Sequence, residues 1–190
     1  MPATLPGIVG VLTPNLVSTA FLGMEVPRLA TAIASGLVKW IPTIVVLTVD
    51  AGTLGAGSNV PQPLTVPQPL LYGNLLAGAA SSGLVGQFIP SFALGLANGL
   101  VLAFLQALIK TTHSSISTGT GVATFRASSA IPIMIESFAS AGLIGDSAPR
   151  MASMIGMGLD VTFASLVIPI VIVGPTTPTG GSGAGVGNLI

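Results

Sequence analysis

His113 is the single histidine of the chain and the side chain best suited to move a proton near neutral pH. A catalytic or metal-binding role would need partners, and the nearest acids in sequence, Asp50 and Glu136, are far from it. It therefore reads as a loop histidine. The hydroxyls around it (Thr112, Ser114, Ser115, Ser117) could supply a nucleophile, but no Gly-x-Ser-x-Gly elbow exists to activate one, and they read as loop hydrogen-bonders. The glycine-rich run 180–188, GGSGAGVGN, invites a dinucleotide- or phosphate-loop reading. Its spacing fits neither pattern and no lysine follows, so it reads as a flexible tail. Paired carboxylates for acid–base work would have to be drawn from Glu25, Asp50, Glu136, Asp146 and Asp160. Glu25 and Asp146 hold nearly equivalent turn positions and suit the positive end of a helix dipole. Asp160 reads as the solvated edge of a helix. With no cysteine, thiolate catalysis, disulfides and cysteine-based zinc sites are excluded. The expectation is a protein that is not an enzyme, with no catalytic residue, no metal site and no cofactor.

Composition points away from water as the sole solvent. Acidic and basic side chains make up 5% of the 190 residues, against about 25% in ordinary soluble domains. A folded monomer of this size exposes roughly 8,300 Å², and ten charges cannot solvate that area comfortably. Lipid, or copies of the protein and its neighbours, must cover part of it. Net charge is zero and the cations Arg28, Lys39, Lys110, Arg126 and Arg150 are scattered, so no nucleic-acid footprint is present. The first 24 residues lack a charged side chain, and with it the basic n-region of a secretory signal.

The elements that would carry any such chemistry follow from an internal repeat. STAFLGMEVPRLATAIASGL (18–37), SSGLVGQFIPSFALGLANGL (81–100) and SAGLIGDSAPRMASMIGMGL (140–159) share one spacing. Each begins with Ser, reaches Gly five residues later, Pro four after that, Ala three further on, and Gly-Leu nine and ten beyond the Pro. A period of about sixty residues signals a repeat architecture. Gly23, Gly86 and Gly145 are placed to end a first helix, and Pro27, Pro90 and Pro149 fit the first turn of a second, where the missing N–H costs nothing. The first helices are expected from about Thr13, with Pro14 in the opening turn, and over about Leu70 to Gly83 and Ile131 to Gly142.

Counted from each Pro, the second helices carry the stripes Leu29/Ile33/Leu37/Ile41, Phe92/Leu96/Leu100/Phe104 and Met151/Ile155/Leu159/Phe163. Residues four apart share one helix face. Small residues stand beside them, ending in Gly36, Gly99 and Gly158, and would let neighbouring helices approach closely. β-Branched runs follow from Pro42, Thr111 and Val167, each leading into Gly, Ser and Thr, and read as extended or strand segments with Gly-rich loops. PQPLTVPQP (61–69) reads as an extended linker.

The pattern S-x-[G/A]-[L/F]-[V/I/L]-G-x₃-P-x-[L/F/M]-A, then GL and a tail such as TVDAGTLGAGS, resembles small virion structural proteins of contractile-tailed phages, especially those of cyanobacteria. That resemblance covers most of residues 13–190. It implies a part of a particle assembled in many copies, located in the virion after assembly in the host cytoplasm, with other copies and other virion proteins as partners. It transfers no functional residue. The expected fold is mainly α: three αα-hairpin modules (1–60, 61–127 including the linker, and 128–190), each trailed by an extended Gly-rich segment and related by a pseudo-threefold. The expected function is a structural subunit of tail, baseplate or neck. The alternative is a membrane-embedded or membrane-inserting protein, favoured by the charge-free run that includes Leu84–Ile109. Against it stand Arg28, Lys39, Arg150 and Asp160 on the sister helices.

Overall fold

The stripe Phe92/Leu96/Leu100/Phe104 is buried along its whole length on α4 (Ile89–Leu105). Ile33 and Leu37 are fully buried on α2 (Glu25–Trp40), as are Ile155, Leu159 and Phe163 on α6 (Ser147–Phe163). Leu29 and Met151, at the first position of their stripes, are only partly covered. The three stripes belong to one contiguous core rather than three. Fully burying each such side chain contributes about 1.5–3 kcal/mol. The computed structural model describes residues 4–18, 25–53, 56–61, 66–105, 108–113, 118–124, 127–143, 145–163, 167–173 and 181–188.

Helix is the main element, as the composition and periodicity require. The first helices are α1 (Leu5–Ser18), α3 (Gln68–Ser81) and α5 (Ile131–Ser140). They bury stripes of their own: Ile8/Leu12/Leu16, Leu71/Leu75/Ala79, and Met134/Phe138, the last continued by Ala130 just before α5. Consecutive helices pack side by side from α1 to α6, and α6 packs back on α1, so the six form a closed ring around the core. At the C-terminal ends of α2, α4 and α6, Trp40 meets Phe104 edge to face at 5.1 Å, and Phe104 meets Phe163 the same way at 5.2 Å. The Trp40 indole N–H donates to the carbonyl of Pro67 at 3.1 Å, which satisfies its one polar atom.

Two strands follow each pair of helices: β1 (Val45–Thr53) and β2 (Ala56–Pro61), β3 (Leu108–His113) and β4 (Thr118–Thr124), β5 (Val167–Val173) and β6 (Gly181–Asn188). They form one antiparallel sheet in the order β2-β1-β6-β5-β4-β3. The two end strands, β2 and β3, lie close to each other, so the sheet curls round on itself.

Several expectations are corrected. The run 181–188 is a strand paired with both β1 and β5, not a free tail. Backbone amides of a glycine-rich segment can enter a ladder as readily as any others once partners flank both sides. The expected linker is shorter than 61–69, because Pro61 ends β2 and α3 already begins at Gln68. Helix α1 starts at Leu5, and Pro14 lies inside it rather than in its opening turn. The ring of Pro14 crowds the carbonyl of Gly10, an exposed residue without a side chain. Burial of Ile8, Leu12 and Leu16 outweighs the lost backbone bond.

The helix-ending glycines are Gly83 and Gly142, with φ of +73° and +84°, rather than Gly86 and Gly145. At α3 the Leu84 N–H donates to the Ala79 carbonyl and the Gly83 N–H to that of Ala80. At α5 the Leu143 N–H donates to Phe138 and the Gly142 N–H to Ala139. These paired bonds define a Schellman cap, which needs a left-handed residue at its turn. The motif serine takes part as well: Ser81 Oγ donates to the Gly78 carbonyl and Ser140 Oγ to that of Ser137, both at 3.0 Å.

Candidate functional site

The residues able to do chemistry lie on separate elements. His113 lies on β3 and Asp50 on β1, while Glu136 is exposed on α5. His113 pairs across the ladder with Gly119, so it is a strand residue rather than a loop residue. Among the described residues no three metal-ligating side chains gather. Glu25 and Arg28 form an exposed ion pair at 2.9 Å, one turn apart on α2. Such pairs contribute little. Asp160 departs from its expected place on a solvated edge. It is half-buried, and its Oδ1 accepts a hydrogen bond of 2.8 Å from the Ser128 N–H. That bond ties the end of α6 to the 3-10 turn Ala127–Ala130 that leads into α5.

Gly36, Gly99 and Gly158 stand where neighbouring helices approach closely. Pro27, Pro90 and Pro149 sit at the third, second and third residues of α2, α4 and α6, within the first turn of each. A Cβ on Gly36 would stand 3.2 Å from the Cα of Leu75 on α3, and one on Gly99 would stand 3.2 Å from the Cα of Met134 on α5. One on Gly158 would stand 3.0 Å from Leu12 Cδ2 on α1. The three glycines thus mark where α2 meets α3, α4 meets α5, and α6 meets α1. Gly86 and Gly145 lie in the turns preceding α4 and α6, and Gly145 has a φ of +118°. Gly23 lies outside the described residues.

What remains after the core is subtracted is surface. The accessible area is 8844 Å². On α4 the outward side chains Leu94, Leu102 and Leu105 are exposed to 39, 44 and 47%. Val85 and Phe88, in the turn before α4, are more exposed still. At the positions of Leu94 and Leu102 the sister helices hold Thr31 and Lys39 on α2, and Ser153 and Val161 on α6. Thr31 and Ser153 turn their hydroxyls back onto the carbonyls of Pro27 and Pro149. An open hollow of about 270 Å³ lies between the α3–α4 and α5–α6 turns, lined by Phe88, Gly142, Leu143, Ser147, Ala148 and Met151. Of the side chains that line it only that of Ser147 is polar, and they include no acid or base.

Among the described residues no helix is long and apolar enough to cross a membrane. Comparisons with protein-family models, with curated proteins and with solved structures return no match.

Proposed function

We propose that the chain is a structural subunit of a viral particle of the tailed-phage kind, placed in its tail, baseplate or neck and acting through packing between subunits. The observation that carries this reading is a charge-poor chain whose α4 presents leucines outward while all three second helices bury their own stripes in one core. A surface of that kind is covered in its working state.

The architecture we assign is three modules, 1–60, 61–127 and 128–190, each an αα-hairpin followed by a strand pair, about a pseudo-threefold axis. The order α-α-β-β three times over supports it, as do the equivalent approaches of Gly36 to Leu75, Gly99 to Met134 and Gly158 to Leu12. The closed ring of helices and the curled sheet are consistent with the same axis.

Mass spectrometry of purified particles tests the assignment. Peptides of this chain are expected in intact particles, in amounts comparable to other structural proteins. Their absence there, or their recovery only with membranes after fractionation of the host, overturns it. The second outcome would favour the membrane-embedded alternative, for which the exposed leucines of α4 are the motivating observation.

A further inference from the structure

We infer that β2 and β3 zip together into a sixth ladder, which closes the sheet into a six-stranded barrel and clasps module 1 to module 2. The inference rests on the threefold arrangement of modules proposed above, and it fixes which residues meet.

Ladders already join two of the three module boundaries. β4 pairs with β5 between the second and third modules, and β6 pairs with β1 between the third and the first. The remaining boundary, between the first and the second, falls at β2 and β3, the two ends of the sheet. Cα atoms of these two strands lie within 8 Å of each other. A strand inserted between them would hold them about 9.5 Å apart. The antiparallel pairings that run from β2 round to β3 leave the two strands pointing in opposite directions, as in every other ladder of the sheet.

The repeat supplies the register. β1, β3 and β5 begin at Val45, Leu108 and Val167, each eighteen residues after its motif proline. On β4, Val122 faces Lys110 in its own module and Val167 in the next. On β6, Val186 faces Val171 in its own module and Leu47 in the next. Counted from the prolines, the residue met in the next module stands two places earlier in both cases. The step is shared by two separate boundaries, so it belongs to the repeat. On β2, Ser58 faces Ala51 and Asn59 faces Asp50. The same step sets Ser58 against Thr112 and Asn59 against Thr111. The ladder then runs from Gly57 opposite His113 to Pro61 opposite Ile109, inside the bounds of both strands.

Closure has an energetic reason. An edge strand leaves every second backbone N–H and C=O without a ladder partner. Joining β2 to β3 satisfies both rows at once, and Pro61, which has no N–H, stands at the end of the ladder where it costs at most one bond. A closed barrel has no edge to which a neighbouring chain could add a strand. Contacts with other subunits then fall to the helices and turns.

Hydrogen exchange on the unaltered chain is the first test. In an open sheet every second amide of Ile109–His113 faces water and exchanges fast. In the closed barrel consecutive amides there are expected to be protected. Cysteine pairs read the register, since the chain has no cysteine of its own. Directly opposed strand residues lie within reach of a disulfide. Under mild oxidation Ser58→Cys/Thr112→Cys and Asn59→Cys/Thr111→Cys should link within one chain. Thr118→Cys/Val171→Cys, across the β4–β5 ladder, should do the same. Ser58→Cys/Thr111→Cys should stay reduced, because one residue out of register turns the two side chains to opposite faces. Circular dichroism confirms that each variant is folded. Alternate protection of β3, with seam pairs that stay reduced or link only between chains while the Thr118/Val171 pair closes, overturns closure and leaves the module arrangement standing. Linkage of the Ser58/Thr111 pair alone overturns the register and the threefold that predicts it. A Thr118/Val171 pair that stays reduced removes the ladder from which the register is read, and overturns the inference with it.

Discussion

Gly99 on α4 lies so close to Met134 on α5 that a Cβ added to the glycine would overlap the methionine Cγ and stand 3.2 Å from its Cα. The methionine side chain can move aside, but its backbone cannot without parting the helices. Gly99→Ala is therefore expected to destabilise the protein by about 1–3 kcal/mol. Gly73→Ala, on an exposed turn of α3 with nothing within 4 Å of the new methyl, should instead stabilise it by about 0.4–1 kcal/mol. Paired urea melts check the opposite signs. Equal effects would mean that helix propensity, not the close approach, governs both positions.

Gly83 and Gly142 have open space where a Cβ would go, so any cost of substitution there is conformational. Replacing either by Ala should cost about 1–2 kcal/mol, since φ near +80° brings Cβ against the backbone. Asn, which tolerates the left-handed region, should lose less than Ala. Thermal unfolding of the Ala and Asn variants at one position gives the comparison, and an Ala variant as stable as the parent would exclude the cap as a stabilising feature.

Leu96 and Leu159 are both fully buried on different helices of one core. Leu96→Ala and Leu159→Ala should each cost about 2–5 kcal/mol. Each should also shift the whole unfolding transition rather than split it, because no module keeps a core of its own. Far-ultraviolet circular dichroism and Trp40 fluorescence are expected to report the same midpoint. Separate midpoints would point to modules that melt independently.

Asp160 accepts the Ser128 N–H at 2.8 Å across the join between α6 and the start of α5. Asp160→Ala removes a hydrogen bond to a charged group and should cost about 1.5 kcal/mol, the low end for such bonds because the site is only half-buried. Asp160→Asn keeps an acceptor and should lose less. Hydrogen exchange at the Ser128 amide provides the local readout. Unchanged protection in the Ala variant would show that the bond does not hold the turn.

Much of the helical layer was legible from residue types and spacing. The four-residue recurrence of large apolar side chains after Pro27, Pro90 and Pro149 located the buried faces of α2, α4 and α6, because burial against one core imposes the helical period directly on the sequence. The prolines located the helix starts for a local reason, the dispensable N–H of a first turn. Other features depended on partners distant in the chain. Whether 181–188 would be a free tail or a strand turned on β1 and β5 flanking it, and nothing local in a glycine-rich run encodes its neighbours. The start of α1 depended on Ile8, Leu12 and Leu16 finding the core, which outweighed Pro14. Asp160 looked solvated because its partner, the Ser128 amide, lies 32 residues away. The outward leucines of α4 were visible as letters, but which side of a charge-free helix faces out was decided only when α3 and α5 closed on its other flanks.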